Sequence, residues 1–104
     1  MPHKRRFDYT SGASFTVATV PAGGVVGRIG VLVKTAFNGA APTLEVGDAA
    51  DDDRFIITTD VDLKTPGITW LDGGHDYAAQ TAVLAALDID GSTAGEAIIL
   101  MEQW

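Results

Sequence analysis

The sequence contains no cysteine, which excludes disulfides, thiolate chemistry and any zinc site built on cysteine. It has only two histidines, and no apolar run approaches the roughly 20 residues that a membrane-spanning helix needs. Basic residues are scarce, since seven Lys and Arg stand against 14 Asp and Glu, for a net charge of −7. Because nucleic-acid-binding proteins present a basic face, we expect no nucleic-acid partner. Because no apolar run is long enough to span a membrane, we expect no membrane partner.

The start of the chain lacks the apolar segment of a signal peptide, so we expect synthesis and folding in the cytosol. Three of the seven basic residues, Lys4, Arg5 and Arg6, lie within the first six positions, and the remainder is acidic. We therefore predict an extended N-terminal arm over residues 1–13. Such an arm is either a solvated tail or a contact to an acidic partner surface.

Short apolar runs separated by turn signals dominate the rest of the chain. A length of 104 residues is enough for one domain with its own core, and 46% of the residues are hydrophobic. Alternating apolar positions and 12 glycines predict an all-β fold, an antiparallel β-sandwich or jelly-roll-like single domain over residues 14–104. The predicted strands are residues 14–20, 25–35, 42–46, 54–58 and 68–71.

Turn signals and one ambiguous segment complete this prediction. Asn38-Gly39 predicts a tight turn, and Asp72-Gly73-Gly74 predicts the close of the preceding strand. Residues 80–88 have the alanine content of a helix but also alternate with a period of two. We predict that they form a hairpin with a final strand over residues 96–104.

The two closing strands are apolar on both faces. In the last strand Ile98 and Leu100 point to the side opposite Ile99 and Met101. An antiparallel sandwich normally alternates apolar and polar positions, so something must cover the second face. Another copy of the chain is the simplest cover. The predicted oligomer interface consists of Leu84, Ile98, Leu100 and Trp104.

Candidate catalytic groups are few, and we predict that the protein is not an enzyme and needs no cofactor. His3 lies in the predicted arm, and His75 in a glycine-rich turn, where an exposed loop histidine is the expected state. Ser92, His75 and Asp76 have the side chains of a hydrolase triad, but no Gly-x-Ser-x-Gly elbow accompanies them.

Asp48, Asp51, Asp52 and Asp53 form an acidic segment with oxygen ligands of the kind that Ca²⁺ prefers. A solvated charged loop accounts for the same residues more simply. Residues 88–91 also lack the spacing of a calcium-binding loop. We predict no metal site.

The order of turns and strands resembles that of small structural proteins of tailed bacteriophages, of the head decoration (cement) type. The resemblance covers most of the chain from about Ser14 onward and contains no catalytic signature. It rests on Phe15-Thr-Val-Ala-Thr-Val-Pro-Ala-Gly23, Lys34-Thr-Ala-Phe-Asn-Gly39, Pro42-Thr-Leu-Glu-Val-Gly-Asp48, Asp53-Arg-Phe55, Asp60-Val-Asp-Leu63 and Gly91-Ser-Thr-Ala-Gly-Glu-Ala97.

The resemblance implies a β-sandwich that clamps the major capsid protein as a homotrimer on the outer surface of the virion, after synthesis in the host cytoplasm. The arm would then contact the capsid; its candidate contact residues are Lys4, Arg5, Arg6, Phe7 and Tyr9. The alternative is a receptor- or glycan-binding module of a phage head or tail fibre, with Trp70, Tyr77 and the turn at residues 72–75 as a stacking shelf.

Overall fold

The computed structural model describes residues 2–104, which form a β-protein of seven strands. No helix within this range is long and apolar enough to cross a membrane. The strands are β1 Pro2–Asp8, β2 Ser14–Val20, β3 Val25–Thr35, β4 Thr43–Gly47, β5 Gly67–Asp76, β6 Thr81–Asp88 and β7 Glu96–Gln103.

Two antiparallel sheets pack face to face, which confirms the predicted β-sandwich. The four-stranded sheet has the order β1-β7-β3-β5, and the three-stranded sheet has the order β2-β6-β4. Strand alternation places one side of each strand in the shared core. Inward residues of β3 and β7 in one sheet, and of β4 and β6 in the other, are fully or almost fully buried; they include Ile29, Val31, Val33, Ile99 and Met101, and Leu44, Val46, Val83, Ala85 and Leu87.

The strand directions give the sandwich two distinct ends. The Tyr9 end contains the close of β1 and β3, the loop at Asn38 and the turn at residues 89–92. The Trp104 end contains the start of β3, where the backbones of Val25 and Trp104 exchange two hydrogen bonds of 2.8 Å. The acidic segment of residues 48–53 follows β4 and lies at the Trp104 end, because Tyr77, directly after β5, bonds to Asp48.

The hairpin predicted for the last two strands is wrong. β6 is the central strand of the three-stranded sheet, and β7 is an inner strand of the four-stranded sheet, so the connection between them crosses the sandwich. Both strands do form, but β6 pairs with β2 and β4, and β7 pairs with β1 and β3. An apolar side of β6 and an apolar side of β7 both face the shared core, one from each sheet. The two strands therefore bury these side chains without pairing with each other.

Two further predictions for the middle of the chain are wrong. Residues 54–58 do not form a strand: Phe55 and Ile56 are buried, but a single bridge joins Ile56 to Val46. β5, expected to close at Asp72, continues through Gly73 and Gly74 to Asp76. Gly73 lies so close to the carbonyl of Gly27 that a Cβ would collide with it, so this glycine permits strand pairing instead of ending it.

The N-terminal residues also differ from the predicted arm. Pro2–Asp8 is the edge strand of the four-stranded sheet and pairs with β7 over its whole length. Phe7 supplies the reason, because its buried ring packs 5.2 Å from Phe15 and 6.0 Å from Phe37, measured between ring centroids. Residues 2–8 alternate as a strand with one large core residue, but the three consecutive basic residues obscure this pattern in the sequence. Met1, the first residue of the predicted arm, lies outside the described residues.

Candidate interaction surface

The outward face of the four-stranded sheet carries a continuous apolar stripe. Two rows of paired residues cross the sheet: one runs from Ile98 through Leu32 to Ile68, and the next from Leu100 through Gly30 to Trp70. We call the five side chains of these rows, those of Leu32, Ile68, Trp70, Ile98 and Leu100, the apolar stripe.

The stripe is most exposed on the edge strand β5. Ile68 is 50% exposed and Trp70 is 43% exposed, whereas Ile98 on β7 is only 7% exposed. Gly30 makes room for the Trp70 ring, since a Cβ at Gly30 would lie 2.7 Å from Trp70 Cε3. The uncovered apolar surface therefore lies toward one margin of the sheet.

Ion pairs flank the stripe at both ends. Toward the Trp104 end, Arg28 donates to both carboxylate oxygens of Glu102, at 3.1 and 3.0 Å, and its guanidinium carbon lies 5.1 Å from the centroid of the Trp70 ring. These hydrogen bonds lower the pKa of Glu102 and raise that of Arg28. Toward the Tyr9 end, Arg6 pairs with Glu96 at 2.6 Å. The stripe has a charged rim, as protein interfaces usually do.

The four predicted interface residues do not form one patch. Ile98 and Leu100 belong to the apolar stripe, but Leu84 points outward from the three-stranded sheet on the opposite side of the molecule, where it is 36% exposed. Trp104 is 77% exposed at the Trp104 end, and its backbone is held by Val25. Of the four, Ile98 and Leu100 share one outward face of the four-stranded sheet.

The five residues predicted to bind a capsid are also dispersed. Phe7 is in the core and unavailable to a partner. Arg5 turns inward along the edge of the sandwich, where it lies 4.9 Å from the centroid of Phe15 and donates to the carbonyl of Thr16 at 3.1 Å. Lys4 and Arg6 point outward from β1, and Tyr9 is exposed beyond the strand at the Tyr9 end.

A buried polar cluster near the Trp104 end replaces part of the expected acidic loop. Asp48 is 2% exposed and accepts hydrogen bonds from Arg54 Nε at 2.7 Å and the Tyr77 hydroxyl at 2.5 Å. Its other oxygen accepts from the backbone N–H groups of Ala50 and Asp51. Asp48 thereby joins the end of β4 to the residue that follows β5, so it connects the two sheets.

Burial of Asp48 by itself raises the pKa of the carboxyl, but the hydrogen bonds from Arg54 and Tyr77 outweigh it and lower the pKa to about 2. The pKa of Tyr77 is raised by burial and by its hydrogen bond to the same carboxylate. The Asp48 charge is thus fully paired inside the fold, and it is not available as a cation ligand.

The carboxylates of Glu45, Asp52 and Asp53 lie within 4.8 Å of one another. Asp53 is exposed, and its hydrogen bond to Asp51, with the neighbouring negative charges, raises its pKa. Oxygen ligands of this kind suit hard cations, but exposed acidic groups are common without one. This cluster supports no assignment.

His75 is not the exposed loop histidine expected from the sequence. It lies in β5, with its ring 4.5 Å from that of Tyr77 and 6.4 Å from that of Phe55. Ser92 is buried at the opposite end of the sandwich, where its hydroxyl bonds to the Ile89 carbonyl and accepts from Gly39 N–H. The serine and histidine of the hypothetical triad therefore lie at opposite ends of the sandwich.

The glycan-binding shelf does not assemble either. Trp70 points outward from β5, whereas Tyr77 is buried and bonded to Asp48. The residues between them form part of the strand and not a turn. Two rings on opposite sides of one sheet cannot stack on the same sugar.

Sequence reasoning missed Leu32 and Ile68 and assigned Trp70 to a different site, the glycan-binding shelf. These three residues form most of the exposed stripe. The available signal was the two-residue spacing of Ile68 and Trp70, which places both side chains on one face of a strand. The structure shows that this shared face is the outer one, because Leu71, on the other face of β5, packs against the core.

Comparison with solved structures finds the same fold in chains of three phage capsids. The chain aligns with one in the cyanophage Pam1 capsid asymmetric unit over 97% of its own length and 81% of the other, at 21% identity and a TM-score of 0.70. For the acid-stable capsid of Helicobacter pylori bacteriophage KHP30 the coverages are 97% and 83%, with 14% identity and a TM-score of 0.78.

The capsid of Ralstonia phage GP4 contains a third such chain. The alignment covers 94% of this chain and 79% of the other, at 18% identity and a TM-score of 0.61. No protein-family model matches the sequence, and no curated protein sequence matches it. At these identities the likeness establishes a shared β-sandwich fold.

Proposed function

We propose that this chain is a virion structural protein of a tailed phage, a decoration (cement) protein that binds the major capsid shell from outside as a homotrimer. The observation that carries the proposal is the fold it shares, over nearly its whole length, with chains of three phage capsid structures. The resemblance of its turn and strand order to phage decoration proteins supports the same assignment.

The length of the matched chains supports a decorator more than a fibre module. Each alignment covers nearly all of this chain and about four fifths of the neighbouring chain. The matched chains are therefore only somewhat longer than this one.

The surface of the molecule fits a role that depends on packing. Its most prominent feature is the apolar stripe, with Ile68 and Trp70 exposed at the edge of a sheet. Binding through apolar area, multiplied over several linked copies, gives avidity without any single strong contact. The groups with catalytic potential, Ser92 and His75, are committed to separate internal contacts, so we propose no enzymatic activity and no cofactor.

The two ends of the sandwich suggest how the protein faces the shell. The exposed carboxylates of Asp52 and Asp53 lie at the Trp104 end, as suits a surface held toward solvent. We propose that the Tyr9 end faces the capsid, with Tyr9 as the contact retained from the five N-terminal candidates. A shallow groove at this end is lined by Tyr9, Thr35, Thr93 and Glu96.

Co-sedimentation with empty capsid shells that lack this protein tests the proposal. We expect the purified chain to sediment with the shells and to saturate at three copies per site. Tyr9→Ala should weaken binding, while Ile57→Ser, a change at another exposed apolar residue, should not. A chain that stays in the supernatant at all concentrations would contradict the assignment.

A further inference from the structure

The two margins of the four-stranded sheet carry opposite charge on their outward side. On the edge strand β1 the outward residues include Lys4 and Arg6, and on the edge strand β5 they are Ile68, Trp70 and Asp72. Asp76 adds a second exposed carboxylate to β5. We call these the β1 margin and the β5 margin. Their complementary character is the starting point of the inference.

The charges of these margins are only partly neutralised within the chain, where Asp72 lies across from Arg28 on β3. Lys4 forms no ion pair among the described residues, and Arg6 pairs with Glu96 of the neighbouring strand. The carboxylate of Asp8, at the end of β1, turns back to the N–H and hydroxyl of Thr10. The margins lie three strand spacings apart, about 14 Å. This exceeds the Debye length of roughly 8 Å at physiological salt, so they hardly attract one another within one molecule.

We propose that the apolar stripe joins copies of this chain, with the β5 margin of one copy packed on the β1 margin of the next and the strands parallel to the symmetry axis. Rotation about such an axis keeps the residue rows level. Since Lys4 and Trp70 end the same row across the sheet, Lys4 of one copy comes to lie against Trp70 of the next. Arg6 and Ile68 end the adjacent row and meet in the same way.

The chemistry of the paired margins is favourable. An ammonium group over an indole ring gains a cation–π interaction, and the aliphatic part of a Lys or Arg side chain covers apolar surface. Asp72 lies one row from Trp70, within reach of a lysine ammonium on the adjoining copy. The β1 margin of the adjoining copy would bury the exposed half of the stripe and also place a positive charge near Asp72.

The charge pattern disfavours the other way of placing two such faces together. Rotation about an axis perpendicular to the strands in the sheet plane would set β5 against β5 and β1 against β1. Acidic Asp72 and Asp76 would then face their own copies, and Lys4 and Arg6 would do the same. Like charges placed together across an interface are a common device against wrong pairing.

This inference deepens the proposed function by naming the face that joins the copies, and it depends on that function only for the number three. Three sheets around an axis parallel to their strands form a closed prism. Each copy then uses one margin on each of its two neighbours, which is a heterologous contact that closes.

Ile68→Lys tests the apolar contact, measured by sedimentation velocity and native mass spectrometry of the isolated protein. A charge at this exposed position should weaken self-association at least roughly tenfold, as for a central interface residue. Leu84→Lys is the matched control, because it places the same side chain on the outward face of the three-stranded sheet. It should leave the oligomer unchanged, and thermal unfolding should show that both variants are folded.

A charge swap tests the pairing of the margins. Lys4→Glu and Asp72→Lys should each weaken self-association, and the double variant should recover most of the loss. Because the two residues are too far apart to couple within one molecule, recovery reports contact between copies.

The proposal is overturned if the unmodified protein is monomeric at every concentration, if Ile68→Lys assembles normally, or if the double variant is no better than the single ones. These outcomes are distinct from failure of the proposed function. A stripe-dependent oligomer that ignores capsid shells would refute decoration alone, and a monomer that binds shells would refute this interface alone.

Discussion

The two outer faces of the sandwich are both outward sides of antiparallel sheets, but their side chains differ in polarity. Outward positions of the three-stranded sheet are mostly small or polar, and they include Thr16, Thr19, Thr43, Ala82 and Ala86. Outward positions of the four-stranded sheet include the apolar stripe. An antiparallel sheet with one solvated face normally looks like the first. The second departs from the rule, and this contrast is the reason that we propose it as a surface for contact.

The largest expected effect concerns β1, without which the four-stranded sheet would lose one margin. Phe7→Ala should destabilise the fold by about 3–5 kcal/mol, because it removes a buried aromatic side chain from the core. Urea denaturation measures this change. Tyr9→Ala, two residues later at an exposed position, should cost much less. Equal effects at the two sites would mean that β1 is not anchored through its core residue.

Asp48 connects the two sheets and should be next in effect. Asp48→Asn removes the charge paired with Arg54 and should destabilise the fold by about 2–4 kcal/mol. Asp52→Asn changes an exposed carboxylate of the same segment and should have little effect. Chemical denaturation of both variants at neutral pH gives the comparison, and similar midpoints would contradict the role assigned to the buried carboxylate.

The same residue predicts a pH dependence. The pKa of Asp48 is about 2 in the folded protein against an ordinary value of 3.8. Because the folded value is the lower one, this carboxylate stabilises the fold fully above about pH 4, and its contribution of about 2 kcal/mol is lost as the pH falls toward 2. Subtracting the pH profile of Asp48→Asn from that of the unmodified protein isolates this loss. A difference that stays constant between pH 5 and 2 would rule it out.

A smaller effect is expected where Trp70 crosses Gly30. Gly30→Ala places a methyl group 2.7 Å from the indole ring, so the ring must shift and the stripe changes shape. We expect a cost of about 1–3 kcal/mol and an altered near-UV circular dichroism spectrum. Gly27→Ala is the control, since its Cβ would approach side-chain atoms no closer than 3.4 Å. An unchanged spectrum would show that Trp70 does not depend on this glycine.

The smallest effect belongs to the rim of the stripe. Glu102→Gln removes the partner of Arg28 in an exposed ion pair, and we expect a small loss of stability that shrinks further in high salt. Thermal unfolding at two salt concentrations measures it. A large, salt-independent loss would show that the pair does more than border the apolar surface.

The local pattern was a good guide wherever a strand was long and bounded by clear turns. β2, β3 and β4 lie within about a residue of their predictions, because alternation specifies them locally. The tight hairpin turn predicted at Asn38-Gly39 is wrong, since neither residue has a positive φ and β3 and β4 belong to different sheets. The prediction was wrong where the outcome depended on distant partners. Gly73 and Gly74 resemble a turn until pairing with β3 extends the strand, and Asp48 resembles a surface acid until Arg54 and Tyr77 enclose it.

Composition and periodicity by themselves determined that this protein is an all-β sandwich without cysteine chemistry, and that its closing strand is apolar on both sides, because these are properties of residues close together along the chain. Only the tertiary structure decided that β6 and β7 belong to different sheets, that β1 completes the larger one, and that Leu84 lies on the opposite surface from Ile98. Strand order depends on pairings between residues far apart in the sequence, and a period of two does not indicate which sheet a strand joins.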